Sequence, residues 1–389
     1  MEFKEYLMED ALEAIIDYRE KTPKKSDTGI PTLSARSVKN NYINYSECYY
    51  ISPTEYERFM VRGFPKKGDI LLTTEAPMGM VAKLDRDDIA IAQCLLTLRG
   101  KSGVLDNDYL LYLLQSPYGQ RLLKEKETGT TVTGIKQAVF RKIIVQLPDF
   151  KIQKKISSIL NPLNHKIECN TRINDNLQRQ EQALFRAWFV DFLPFGGKVP
   201  SDWRYVSFSD ILSPRSEKSS DLSLPMFSVT DTGIHPRDEK FKKSLSMGNT
   251  KNKVVYQNDL VFGMSREILN WGIMRFPVGG VSSAYNVFAV SEKINSYYLE
   301  SYMKENIQYF KDLIKPASRE GQGIDKNALM EKKILMPTED VLRDYYCLEK
   351  PLTRYIHHNV EEINRLIKLR DVLLPKLMSG EIDVSNIQR

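Results

Sequence analysis

The sequence predicts an α+β protein built twice: two similar α+β globules, separated by two long helices that form an antiparallel coiled coil, in a pseudo-two-fold arrangement. Three observations carry that expectation. Residues of the first half recur about 189 positions later, each half opens with short apolar runs punctuated by Gly and Asp, and each half closes on a polar stretch with heptad spacing.

The repeat is the firmest of the three. Gly134-Ile135 returns as Gly323-Ile324, Pro148 as Pro337, Pro162-Leu163 as Pro351-Leu352, Ile167 as Ile356, and Asn170 as Asn359. Leu177, Leu184 and Phe185 return as Leu366, Leu373 and Leu374. Upstream the register drifts by one residue, yet Lys67-Gly68-Asp69-Ile70-Leu71 still answers to Gln257-Asn258-Asp259-Leu260-Val261, and Tyr109 falls on Tyr298. Prolines and glycines kept in register over such a length argue for one structural unit used twice.

Within the first copy, 69–73 and 89–98 alternate and are flanked by Gly and Asp, which reads as strands. A helical stretch covers 109–123, broken or restarted at Pro117. The Gly/Thr loop 129–134 leads to a short helix and a strand at 143–147, ended by Pro148. The second copy repeats the order through 259–262, 280–290, 297–313, the loop 318–323 and 334–337. The expected boundaries are globule one at 1–149, helix one at 150–192, globule two at 193–338 and helix two at 339–389. The Gly/Pro-rich stretch 192–202 makes the turn between copies.

The first long helix carries Ile156, Leu160, Leu163, Ile167, Asn170, Asn174, Leu177, Glu181, Leu184 and Trp188 at alternating steps of four and three. The second carries Tyr345, Glu349, Leu352, Ile356, Asn359, Ile363, Leu366, Arg370, Leu373 and Leu377 at the same steps. A seam this narrow favours a helix packed on a helix over a helix lying on a sheet. The asparagines either fix register inside the seam or face water at a frayed edge. Pro162 and Pro351 either interrupt the helices or mark their first turns.

Composition sets outer limits. The 389 residues are 42% hydrophobic and 27% charged, with a formal charge of +6, which describes ordinary folded protein with a mild basic bias. No apolar run approaches a membrane span and the start MEFKEYLMED lacks a signal pattern, so a cytoplasmic protein is expected. Four scattered cysteines without a CxxC pair, and histidines without ligand spacing, give no expectation of a disulfide framework or a metal site.

A chain with two unlike globules on one symmetric rod suits a ligand with two-fold repetition and two different half-messages, as duplex DNA offers. Here several strings carry a resemblance. The run 66–73 (KKGDILLT), the loop and strand 129–148, the helix start 153–160, and the two helix ends 181–189 and 373–382 resemble specificity subunits of type I restriction–modification systems, in order and across nearly the whole chain. The second copy departs where Leu342 replaces the glutamine found at Gln153. The resemblance implies a non-catalytic DNA reader: two target-recognition domains, each reading one half-site, with a helix-set gap. It further implies recruitment of two adenine-methyltransferase (modification) subunits and of motor–nuclease subunits. S-adenosylmethionine, ATP and Mg are expected on those partners only, with no cofactor on this chain.

Base edges are read by Arg, Asn and Gln; phosphates by Lys, Arg and hydroxyls. The first copy offers Arg36, Lys39, Asn40, Asn41, Thr73, Thr74, Thr130, Thr131, Thr133 and Lys136. The second offers Ser265, Arg266, Asn270, Arg319, Gln322 and Lys326. Tyr42, Tyr45, Tyr49 and Tyr50 fit a sheet edge better than a base-stacking platform. Arg172, Arg179, Lys368 and Arg370 are candidates for partner docking on the outer helix faces. The alternative reading is a two-headed helical scaffold that binds proteins rather than DNA; unlike loops on a shared frame speak against it.

Overall fold

Two helices of 40 and 41 residues, Phe150–Phe189 and Glu339–Ser379, organise the chain. The computed structural model describes residues 1–18, 22–129, 133–219, 223–237, 252–265, 267–314 and 323–386. By packing, residues 1–171 and 360–389 form one unit and residues 172–359 a second, so each long helix contributes a part to both. Pro162 and Pro351 lie inside the helices and start neither of them. Both prolines are exposed, so their rings point away from the packed faces of the helices.

The first unit holds a four-stranded antiparallel sheet in the order Leu12–Asp17, Leu95–Gly100, Ile70–Thr73, Val81–Lys83. The second unit repeats it as Leu212–Arg215, Asn286–Val290, Leu260–Phe262, Trp271–Ile273. Each unit also pairs its first strand with its last: Phe3–Leu7 with Ile144–Pro148, and Arg204–Ser207 with Lys333–Met336. The central strands are buried on both faces. Ile70 and Leu72 join one apolar cluster while Leu71 joins another, and Leu260 and Phe262 stand in the same relation to Val261.

The runs 89–98 and 280–290, expected as single strands, each break in two. Ala90–Ile91 pairs with Ile30–Leu33 while Leu95–Gly100 stays in the main sheet, and Cys94 at φ 66° turns the chain between them. Likewise Val278–Val281 pairs with Asn252–Tyr256, and Asn286–Val290 enters the main sheet. The helical run of the first copy is two helices, Asn107–Gln115 and Pro117–Glu125; the Ser116 hydroxyl donates to Leu113 O at 2.7 Å and accepts from Gly119 N at 3.1 Å. In the second copy Ser296–Glu305 gives way to a 3-10 stretch, Ile307–Leu313.

Within each unit the long helices run antiparallel. In the first unit, Asn164 meets Arg370 while Asn170 meets Glu362. In the second, Asn174 meets Asn359 while Glu181 meets Thr353. Ile156, Leu160, Leu163, Ile167, Asn170, Leu177 and Leu184 of the first helix are all buried or half-buried, as are Leu352, Ile356, Asn359, Ile363, Leu366 and Leu373 of the second. Off-seam apolar residues such as Ile173, Leu348, Tyr355 and Leu369 are exposed. Arg370 belongs inside rather than on an outer face: its side chain is only 14% exposed.

Where the first helix begins, the buried Gln153 amide donates to Val104 O (2.8 Å) and Pro148 O (3.0 Å) and accepts from Asp106 N (2.9 Å). Leu342 at the equivalent place sits in an apolar cluster with Tyr298 and Tyr345. One copy fixes its helix start by hydrogen bonds, the other by packing.

Candidate nucleic-acid interface

Both copies aim the central strand of the main sheet with the same turn. Gly68 at φ 94° and Asn258 at φ 70° each precede a buried aspartate. Nothing lies within 4 Å of where a Gly68 Cβ would stand, so the backbone angle rather than crowding selects the residue, and Asn is the side chain that tolerates it best. Asp69 accepts from Lys66 N and pairs with Arg99 at 2.7 Å; Asp259 accepts from Tyr256 N and pairs with Arg215 at 2.8 Å. The arginine comes from different strands in the two copies, so the pairing is shared but its source is not.

Beyond the main sheet, the turn Ala35–Ser37 leads into the hairpin Val38–Lys39 and Tyr42–Ile43. Arg36 is exposed, Lys39 is half-buried, and Tyr42 is 56% exposed. Asn40 is exposed and Asn41 half-buried, and both also pin this hairpin. Asn40 Oδ1 accepts from Val81 N at 3.4 Å, and Asn41, at φ 72°, donates its backbone N–H to Val81 O at 2.9 Å.

Thr73 and Thr74 require correction, because both are buried. The Thr73 hydroxyl donates to Pro77 O at 2.6 Å and accepts from Met80 N at 2.9 Å, which closes the turn after the strand. The Thr74 carbonyl accepts from Ile135 N at 3.1 Å and so anchors the end of the Gly/Thr loop. A Cβ on Gly134 would come within 2.6 Å of Thr74 O, which explains the glycine there. Ser265 is buried with its hydroxyl accepting from Asn270 N at 2.9 Å, and Asn270 Nδ2 donates to Met264 O at 2.6 Å; these two shape a loop from within.

Thr133, Lys136 and Lys326 are exposed. Thr130, Thr131, Arg266, Arg319 and Gln322 lie outside the described residues. Thr133 faces a groove lined also by Pro77, Met78, Gln120, Arg121 and Lys124. Arg121 and Lys124 stand three apart on one short helix, as neighbours on one face.

A basic group in the second unit was not visible in sequence. Lys218 and Lys253 are direct cross-strand partners, and the Lys253 ammonium donates to Tyr285 O at 2.6 Å. Burial, and then the charges of Lys326 and Lys218, hold Lys253 below the usual lysine range. Like charges set opposite each other destabilise a strand pair unless an anion answers them.

Between the helices of the second unit lies an acidic group. The Thr353 hydroxyl is 2.6 Å from both Glu181 Oε1 and Glu349 Oε1. It has one proton to donate, so one of the two carboxyls must carry its own. Burial pushes Glu349 up to about 7, reinforced by Glu181. Nearby, Lys304 and Arg275 overcome the effect of burial on Glu300 and hold it at about 2. Among the described residues no three His, Cys, Asp or Glu side chains gather as a metal site, and no helix is long and apolar enough to cross a membrane.

Comparison with known proteins bears on these features. Residues 16–179 match the type I restriction modification DNA specificity domain. That match places the specificity domain on residues 16–179 of this chain. It is 26% identical to the type I restriction enzyme MjaIX specificity subunit of Methanocaldococcus jannaschii, covering 92% of this chain and 88% of that one. It is 23% identical to the HindI specificity subunit of Haemophilus influenzae, covering 82% of this chain and 87% of the relative. In fold it is similar to the crystal structure of the type I S subunit from M. genitalium, with a TM-score of 0.64 at 13% identity over 97% of this chain and 96% of that chain. A type I specificity chain serves DNA sequence recognition. The domain match covers most of the first unit, and the second unit repeats that unit's main sheet and capped turn.

Proposed function

We propose that this chain is the non-catalytic, DNA-reading subunit of a type I restriction–modification complex. Each unit reads one half of a bipartite target, and the two long helices set the gap between the halves. The assembly recruits two adenine-methyltransferase subunits and motor–nuclease subunits, and these bring S-adenosylmethionine, ATP and Mg. One observation carries the reading: the two units share sheet order, capped turn and buried Asp–Arg pair, yet differ in the hairpins and outer strands around that frame. Among the described residues the first unit adds a four-stranded outer sheet and the second a three-stranded one. A frame held constant under unlike exposed elements is what two different half-messages require. Arg36, Lys39, Tyr42, Thr133 and Lys136 are the first unit's candidates for contact; Lys218, Lys253 and Lys326 are the second unit's phosphate anchors.

The test is to sequence methylated adenines in a host carrying the complete locus. The expected motif has two short specified parts around an unspecified gap. A single contiguous motif, or methylation that persists unchanged when this chain is deleted, would overturn the proposal.

A further inference from the structure

We infer that Asn164, on the first long helix, is a positioning residue that locks the first unit's reading hairpin to the helix pair. The inference rests on the DNA-reading role proposed above. Asn164 is 8% exposed, and the hydrogen bonds of its side chain all go to other side chains. Its Oδ1 accepts from Arg370 Nη1 at 3.3 Å. A guanidinium can only donate, so the amide oxygen must face Arg370 and the NH2 must face the other way. There it donates to Asn41 Oδ1 at 3.3 Å and to the Tyr112 hydroxyl at 3.1 Å.

The contacts close on themselves. Tyr112 donates to Asn161 Oδ1 at 2.8 Å, Asn161 donates to Asp108 Oδ2 at 2.7 Å, and Asp108 pairs with Lys83. Lys83 belongs to the strand Val81–Lys83, whose Val81 backbone holds Asn40 and Asn41. The hairpin is therefore gripped from the sheet side by Val81 and from the helix side by Asn164. A networked amide of this kind fixes one position, because any shift leaves a buried polar group unpaired.

Among the described residues the second unit shows no such lock. The residue equivalent to Asn164 in the repeat is Thr353, and its hydroxyl lies against Glu181 and Glu349. The hairpin Phe227–Thr230 and Gly233–Pro236 instead rests closely on the strand Trp271–Ile273, where a Cβ on Gly272 would meet Ile234 at 2.9 Å. Among the described residues, no side chain of that hairpin bonds to either long helix. The inference thus predicts an effect confined to one half of the target, with the other half as internal control.

The experiment uses the full chain assembled with the modification subunits of its own locus, carrying Asn164→Ala or Asn164→Asp. The aspartate keeps the acceptor for Arg370 and the side-chain volume but loses both donors, so it preserves the helix contact while releasing the hairpin. Discrimination is read from methylated-adenine sequencing, and stability from thermal melting. Both variants should relax base discrimination in one half-site by about tenfold and leave the other within twofold, with Asn164→Asp still melting in a single cooperative transition. Unchanged discrimination in Asn164→Asp, or equal relaxation of both halves, would overturn the positioning role. A wild-type assembly that shows no two-part motif would instead remove the reading beneath it, and the positioning role with it.

Discussion

Asn359 donates its side-chain amide to Asn174 Oδ1 at 2.8 Å, and both residues are buried at the helix seam of the second unit. Asn174 in turn reaches the Ile356 carbonyl at 3.4 Å. Buried amides of this kind cost stability and select register. Replacing either one by leucine should destabilise the protein by about 1–3 kcal/mol, because the partner is left unpaired. Replacing both should recover that loss. Urea unfolding of the two single variants and the double variant measures the coupling; purely additive losses would show that the two amides do not act as a pair.

Stability should fall with rising pH through the range in which Glu349 titrates. An unfolded glutamate ionises near the ordinary carboxyl value, whereas burial, reinforced by Glu181 and Glu300 and only partly offset by Thr353 and Arg275, pushes Glu349 up to about 7. The folded protein therefore holds a proton that the unfolded chain has released, and stability declines from about pH 4.5 to about pH 7, then levels off. The total is roughly 3 kcal/mol. In Glu349→Gln that slope should shrink, and urea midpoints at pH 5 and pH 8 should move closer together than in the wild type.

The helix start at Gln153 should not tolerate the residue its repeat already uses. Gln153→Leu strands the Asp106 N–H and the Val104 and Pro148 carbonyls, three groups in the interior of the first unit. A loss of about 2–4 kcal/mol is expected. The reciprocal Leu342→Gln buries an amide among Tyr298 and Tyr345 and should also destabilise. Denaturation of each variant checks both directions.

The lysines of the second unit should reveal themselves through salt. Lys218→Met and Lys253→Met, in the assembled complex, should weaken binding to cognate and random duplexes alike. Each should lower the slope of log affinity against log salt by about 1. An unchanged slope would leave these lysines as edge-strand charges that discourage sheet-to-sheet association.

Periodic features were legible in the sequence, and features that depend on distant partners were not. The seam from Ile156 to Leu184 and from Leu352 to Leu373 could be traced because heptad spacing is a property of one helix at a time. The capped turn at Asp69 and Asp259 showed in sequence only as the recurrence of 67–71 in 257–261; its left-handed position and its acceptor are seen in the structure. Thr73, Thr74 and Ser265 are buried, contrary to expectation, for one physical reason. The amides and hydroxyls that read bases are the same groups that close turns and pin hairpins, and only the fold decides which partner they meet. The Glu181–Thr353–Glu349 cluster joins residues remote in sequence, and Lys218 opposite Lys253 depends on strand register; no local spacing announces either.

Exchanging the first unit's reader tests the central claim most directly. Residues 12–135 would be replaced by the corresponding segment of a family member with a different target, and the methylated-adenine motif of the full assembly sequenced. The account predicts that one half of the motif changes while the other half and the gap stay as they were. A motif altered in both halves, or left wholly unchanged, would contradict the assignment of one half-message to each unit.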